Sequence, residues 1–201
     1  MKATEILTAE HHVIEAVLRV LRRIVEETTQ KGSLDEGAAQ EAIDFFRNFA
    51  DHCHHSKEEE RLFPAMEAHG FPRQAGPIAV MLHEHVMGRE CVKGMAESLH
   101  GAATGDPQRR SAFQQHAQAF IDLLHAHIEK ENSILFRMAD QALSETAKAE
   151  LLEEFRRVES EAGGKRHRTY LERARGLCER YGVEFPDREA LSPLYETFDL
   201  A

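Results

Sequence analysis

Apolar residues recur at steps of three and four along most of the chain, and they predict four long helices before residue 141. Leu7, Ile14, Leu18, Leu21 and Val25 make the core stripe of a first helix over residues 4–29, which Lys31-Gly32-Ser33 ends. A second helix over 34–69 sets Ile43, Phe46, Ala50, His54, Glu58 and Leu62 on one face, with Pro64 expected to bend or weaken its end. After a Pro- and Gly-containing loop at 71–77, a third helix over 78–100 carries Ile78, Met81, His85, Gly88, Val92, Met95 and Leu99. A break at 101–107 leads to a fourth, with Phe113, Phe120, Leu124, His127, Glu131, Leu135 and Met138 inward. Four helices joined by short breaks predict an all-α fold, an antiparallel up-and-down four-helix bundle over residues 1–141.

Residues 142–201 continue the helical pattern without the inward polar residues and predict a C-terminal helical extension and tail packing on the bundle. Leu151, Phe155 and Val158 form one stripe, Gly163-Gly164 a break, and Leu171, Ala174, Cys178 and Tyr181 another. The tail holds Phe185, Tyr195 and Phe198 and packs along the bundle or a partner chain.

Polar residues interrupt the apolar stripes in a repeating way. His54, Glu58 and Phe63 recur 73 residues on as His127, Glu131 and Phe136, and Glu10-His11 recurs 74 residues on as Glu84-His85. Two copies of a helical hairpin follow, each giving a lone His and a His-x-x-x-Glu pair to a shared centre. Residues four apart lie one turn apart on the same helix face, so each pair presents a nitrogen beside a carboxylate. The repeat also selects His54 and Glu58 from the crowded run around them, because His55 matches Ile128 and Glu59 matches Asn132. His55, a neighbour ~100° round the helix, stays open as an extra metal ligand. The rest of the run from Lys57 to Arg61 is expected to be a solvated face.

A single inward His is more often a hydrogen-bonded core residue than a ligand. Four imidazoles and two carboxylates on core stripes would be costly to bury unless bound metal satisfied them. Glu58 and Glu131 are then positioned to bridge two metal ions, with His11, His54, His85 and His127 as terminal nitrogen ligands. Two ferrous ions against two carboxylates leave about +2, which attracts oxo, hydroxo or peroxide, and an oxo bridge leaves about one or two coordination positions open. Gly88 lies one step beyond His85 where the first helix has Ile14, so these positions bracket either a small ligand pocket or a close helix contact. His52, His83 and His125 are expected to be solvated, His116 a core or capping residue, and His12, His69, His100 and His167 belong to no matching constellation.

Composition narrows the classes. A net charge of -10, from 35 acidic and 25 basic residues, argues against a nucleic-acid partner. No apolar run approaches the ~20 residues of a membrane span, so no membrane contact is expected. The first residues lack the apolar core of a signal peptide, and a cytoplasmic location is expected. Cys53, Cys91 and Cys178 are odd in number and scattered, which suggests neither a disulfide framework nor a thiolate metal site. Cys53 beside His54 reads as a small buried hydrophobe or a redox-sensing thiol.

The chain resembles the hemerythrin-like family, the His/His/Glu cation-binding domain. The likeness rests on Glu10-His11 with Ile14, on Cys53 to Glu59 followed by Leu62-Phe63-Pro64, on Glu84-His85 followed by Gly88-Arg89, and on His127 to Glu131 followed by Leu135-Phe136. It implies two non-haem iron ions, oxo- or hydroxo- and carboxylate-bridged, with Glu58 and Glu131 as bridges and the four named histidines as terminal ligands. Oxygen-carrying members have two histidines one turn apart on the third helix. Met81 and Arg89 stand four before and four after His85 here, which argues against simple oxygen carriage unless His55 takes that place. Relatives that repair iron centres carry an added N-terminal cysteine region, and this chain starts almost directly with its first helix.

The expected function is a di-iron protein that binds or reacts with oxygen, peroxide or nitric oxide, in sensing or detoxification. A catalase- or peroxidase-like enzyme is one alternative. The other is an iron-storage or iron-responsive module, with a homo-oligomer or protein partner reached through the C-terminal extension.

Overall fold

The computed structural model describes residues 1–161 and 166–198; the Gly163-Gly164 break and the last residues of the tail lie outside them. All regular structure among the described residues is helical. Among these residues seven helical rods follow one another: α1 (Ala3–Lys31), α2 (36–67), α3 (Gly76–Ala103), α4 (107–142), α5 (Glu145–Glu161), α6 (Arg166–Arg180) and α7 (Ser192–Phe198).

Local chemistry sets the ends. α1 stops where Gly32 takes the left-handed conformation at φ 70° and donates its N–H to Thr28 O at 3.0 Å, a role that suits a residue without Cβ. Asp35 and Asp106 cap the next hairpin-forming helices, accepting from the N–H of Ala38 and from those of Gln108 and Arg109.

Contacts along their length set α1 antiparallel to α4, and α3 antiparallel to α2 and α4. Lys2 at the start of α1 meets Asp140 near the end of α4, and Arg110 near the start of α4 reaches Gly32 O just past α1. His100 near the end of α3 pairs with Glu36 at the start of α2, while Arg89 meets Glu59. Glu84 and Lys130 make the same antiparallel pairing of α3 with α4. The inward stripes, including Ile14, Leu21, Phe46, Phe49, Phe113 and Phe120, bury completely or nearly so. Each such large apolar side chain contributes ~1.5–3 kcal/mol.

The helices α5–α7 pack against α1 and α2, and Leu151, Phe155, Leu171, Leu194 and Phe198 join the same contiguous core. The extension is therefore built into the body that carries the inward histidines.

The backbone repeats as well as the sequence. Both long rods widen to π-helical turns at the repeated glutamates, over Glu58–Leu62 in α2 and Glu131–Leu135 in α4. Phe63 N–H donates to Glu58 O, and Phe136 N–H donates to Glu131 O, each five residues back. A further π segment, Phe46–His55, occurs in α2. Pro64 does not end the rod, which runs on to Glu67 directly after the π turn. No helix among the described residues is long and apolar enough to cross a membrane.

Candidate metal centre

Each of the four rods α1–α4 sends a histidine to one region between them. His11, His54, His85 and His127 are buried, and so are Glu58 and Glu131. The imidazoles meet in pairs: His11 Nε2 lies 2.9 Å from His54 Nε2, and His85 Nε2 lies 3.2 Å from His127 Nε2. Each carboxylate spans both pairs. Glu131 sets Oε2 3.2 Å from His11 Nε2 and Oε1 3.2 Å from His127 Nε2. Glu58 sets Oε1 3.7 Å from His54 Nε2 and Oε2 3.5 Å from His85 Nε2.

A second ring of contacts fixes which nitrogen faces inward. His54 Nδ1 is 2.9 Å from Glu10 Oε2, and His127 Nδ1 is 2.9 Å from Glu84 Oε2. Lys57 holds the other oxygen of Glu10, and Lys130 holds the other oxygen of Glu84. His85 Nδ1 meets Glu59 Oε1 at 2.7 Å, and His11 Nδ1 meets Asn132 Oδ1 at 2.9 Å. These partners obey the same repeat, since Lys57 and Glu59 recur as Lys130 and Asn132. Lys57 is accordingly 1% exposed rather than part of a solvated face, because its ammonium turns inward to Glu10.

The electrostatics follow from these contacts. Burial alone would raise the pKa of Glu10, but Lys57, His167 and His54 outweigh it and hold the carboxyl well below its ordinary value. Glu84 and Glu59 are also lowered against burial, by Lys130 with His127 and by His85 with Arg89. Burial, reinforced by His11, brings the pKa of His54 down to about 3, so its ring is neutral. Burial also lowers His85. A neutral ring whose Nδ1–H donates outward keeps only a lone pair on Nε2. At 2.9 Å and 3.2 Å, two facing lone pairs repel unless a proton or a metal cation lies between them.

The carboxylates carry the same demand. Among the described residues, neither oxygen of Glu58 or Glu131 has a hydrogen-bond partner, although both side chains are fully buried. Burial and the facing charge of Glu131 push Glu58 well above its ordinary pKa. Glu131 is held well below, where His127 and then His11 overcome burial. An unsatisfied buried carboxylate is expensive, and a donor set of imidazole nitrogen and carboxylate oxygen suits divalent transition metals. The residues therefore fit metal ions, with outward-bonded imidazoles of the kind that orient metal ligands.

His55 joins this set. Its ring stacks on His85 with centroids 3.9 Å apart, neither ring nitrogen has a hydrogen-bond partner among the described residues, and Asp51 Oδ1 stands 3.5 Å from Nδ1. Burial, then His85, lowers its pKa to about 3. Two groups emerge, His11 with His54, Glu58 and Glu131, and His55 with His85, His127 and Glu58; within each, the ligand atoms lie within 4.8 Å of one another. The π segment Phe46–His55 accounts for the pairing of adjacent histidines, since a wider turn advances each residue by less than the ~100° of an α-helix.

The remaining histidines divide clearly. His52, His83 and His125 are exposed, as are His69 and His100, while His12 and His116 are half-buried. His167, which fits no sequence pattern, is fully buried and places Nε2 2.6 Å from Glu10 Oε1 and Nδ1 2.6 Å from Glu159 Oε2. Burial and the Lys57 ammonium oppose a proton there, yet Cys53 and Glu10 favour it, and the pKa ends well above the ordinary value. Cys53 is buried with Sγ 3.3 Å from Lys57 Nζ. Glu10, Cys53 and His167 are close enough together to suggest a third metal group, but the Lys57 ammonium already supplies its cation.

A cavity of about 300 Å³ lies between α2 and α3, with His55, Gly88, Val92 and Phe120 among its walls. Ile14 is buried in the core and is not one of its lining residues. A Cβ on Gly88 would meet Phe120 at an ordinary 3.6 Å, so close helix packing does not require this glycine.

The fold and the centre define a helical metal-binding protein. The profile of the hemerythrin HHE cation-binding domain matches residues 2–139, and the chain belongs to that family. Relatives include an uncharacterised protein of Mycobacterium tuberculosis (strain ATCC 25618 / H37Rv), 24% identical over 157 residues that cover 76% of this chain and 59% of that protein. A Mycobacterium bovis relative shares the same figures. An iron-sulfur cluster repair protein of Musicola paradisiaca is 39% identical over 90 residues, 43% of this chain and 40% of that protein. The chain thus spans 59% of the length of these mycobacterial relatives. No solved structure matches it significantly.

Proposed function

We propose that the chain is a non-haem di-iron protein that binds or reacts with oxygen, peroxide or nitric oxide in sensing or detoxification. The observation that carries this reading is the pair of orphaned carboxylates, Glu58 and Glu131, each reaching from one pair of facing histidines to the other. His11 and His54 would hold one ion, His55, His85 and His127 the other, and the two glutamates would be shared. Iron bound there supplies a redox-active Lewis acid open to small ligands. The chain's own part is to fix tautomers: Glu10, Glu84, Glu59 and Asn132 take the Nδ1 protons, so every inward nitrogen stays a donor to metal.

In this reading residues 1–141 form an antiparallel four-helix bundle around the centre, and residues 142–201 form the extension that covers its Glu10 side. Anaerobic reduction followed by separate additions of oxygen, hydrogen peroxide and nitric oxide tests the function. A reversible or stable new absorption band with any of them supports it; spectra unchanged by all three would refute it. Rapid oxygen release from peroxide would instead favour a catalase-like enzyme.

The likeness to a protein named for iron-sulfur cluster repair supports a second reading, in which the same centre serves such repair. Reactivation of a nitric-oxide-damaged iron-sulfur enzyme by the iron-loaded chain, and not by free iron, would favour it.

A further inference from the structure

The cavity between α2 and α3 has features that metal binding does not use. Its inner walls are apolar, formed by Phe46, Ala50, Val92 and Phe120 around Gly88. The space exists because the repeat breaks there: where α1 buries the side chain of Ile14, α3 has only Gly88. At about 300 Å³ the cavity sits at the small end of the ~300–1,000 Å³ range of ligand sites.

The mouth is cationic. Arg47 on α2 and Lys93 on α3 line the cavity, are exposed, and have no ion-pair or hydrogen-bond partner among the described residues. Arg89 also lines it, but its charge is matched by Asp51 at 2.7 Å and Glu59 at 2.6 Å. Three cations then face the two carboxylates on Arg89, so the rim keeps one net positive charge, with Arg47 and Lys93 both unmatched, in a protein whose net charge is -10. Excess positive charge around an apolar recess in an acidic chain selects an anion with an apolar body. At the inner end stands His55, buried and without a hydrogen-bond partner among the described residues.

We propose that this cavity binds a small amphipathic carboxylate, its apolar body against Phe46, Val92 and Phe120 and its headgroup between Arg47 and Lys93. The cavity and its cations stand without metal, so the inference goes beyond the di-iron reading and survives the failure of that reading.

Titration calorimetry on the full chain, purified with whatever metal it holds, tests this with octanoate, butanoate and the neutral octan-1-ol as probes. Octanoate is expected to bind once per chain. Each methylene is worth ~fourfold in affinity until the cavity is full, so octanoate should exceed butanoate by at least ~tenfold. It should also exceed octan-1-ol by about tenfold at low salt, and the double variant Arg47→Gln/Lys93→Gln should erase that second difference only. Gly88→Leu should abolish binding of octanoate and octan-1-ol alike. Octan-1-ol binding as tightly as octanoate, an unchanged preference in the double surface variant, or full octanoate binding by folded Gly88→Leu would each overturn the proposal. Metal content measured on the same samples reports on the di-iron reading separately.

Discussion

His167 and Glu10 meet at 2.6 Å, and through that contact the C-terminal helices grip the carboxylate that orients His54. Both ring nitrogens of His167 face carboxylates, so it acts as a buried cation between Glu10 and Glu159. Replacing it with Ala removes that cation but leaves Lys57 facing Glu10. The expected loss is about 3 kcal/mol, the low end for breaking a buried ion pair. Urea unfolding measures it, and a loss below ~1 kcal/mol would contradict a structural grip.

The same contact predicts a pH dependence for α6. The pKa of His167 is raised well above its ordinary 6.5, so its contribution is fully present below that value and fades as pH rises through the folded pKa. Glu10 is lowered well below its ordinary 4.5, so its contribution is present above that value and is lost only as pH falls through a much lower folded pKa. The other groups facing His167 are Glu159, Lys57 and Cys53. Amide exchange across α6, corrected for intrinsic rates, should lose protection in alkali while holding at neutral pH. Unchanged protection into the alkaline range would count against a protonated His167.

How much of this was legible in the sequence depends on what each residue contacts. The inward placement of His11, His54, His85 and His127 was legible because each breaks an apolar stripe and each has a partner in the repeat. The outer ring was partly legible: Glu10 and Glu84 recur, but Lys57 and Glu59 sat in a charge run that helical spacing alone assigns to solvent. The π turns at Glu58 and Glu131 change that spacing, and nothing in the side-chain pattern announces them. The same holds for His55, whose inward turn follows the π segment Phe46–His55. His167 reaches Glu10 from 157 residues away and has no repeat partner, so periodicity could not find it.

Glu84 offers a test of the outer ring that leaves every inward donor in place. Glu84→Gln keeps the shape but weakens the acceptor of the His127 Nδ1 proton and the partner of Lys130. Metal affinity is expected to fall ~10–100-fold, the usual cost of losing such a partner. Competition with a chelator measures it, and unchanged affinity would show that His127 needs no orienting group.

Glycines on α3 should respond in opposite directions. A Cβ on Gly88 makes an ordinary contact, so Gly88→Ala should stabilise the helix by ~0.5–1 kcal/mol. On Gly101 it would lie 2.5 Å from Arg109 Cγ and 2.9 Å from Arg109 Cβ, so Gly101→Ala should cost ~1–3 kcal/mol through overpacking. Thermal unfolding of both variants decides this; the same sign for both would refute the packing described here.

In the di-iron reading, Glu58 and Glu131 would be shared between two metal ions. Metal analysis of the chain after anaerobic loading with ferrous iron, beside Glu58→Ala and Glu131→Ala, is the decisive measurement. Two irons per wild-type chain are expected, one for each histidine group, with a clear loss of both in either variant because each carboxylate lies against histidines of both groups. A wild-type chain that binds no iron, or a Glu58→Ala variant that keeps the full complement, would contradict that reading.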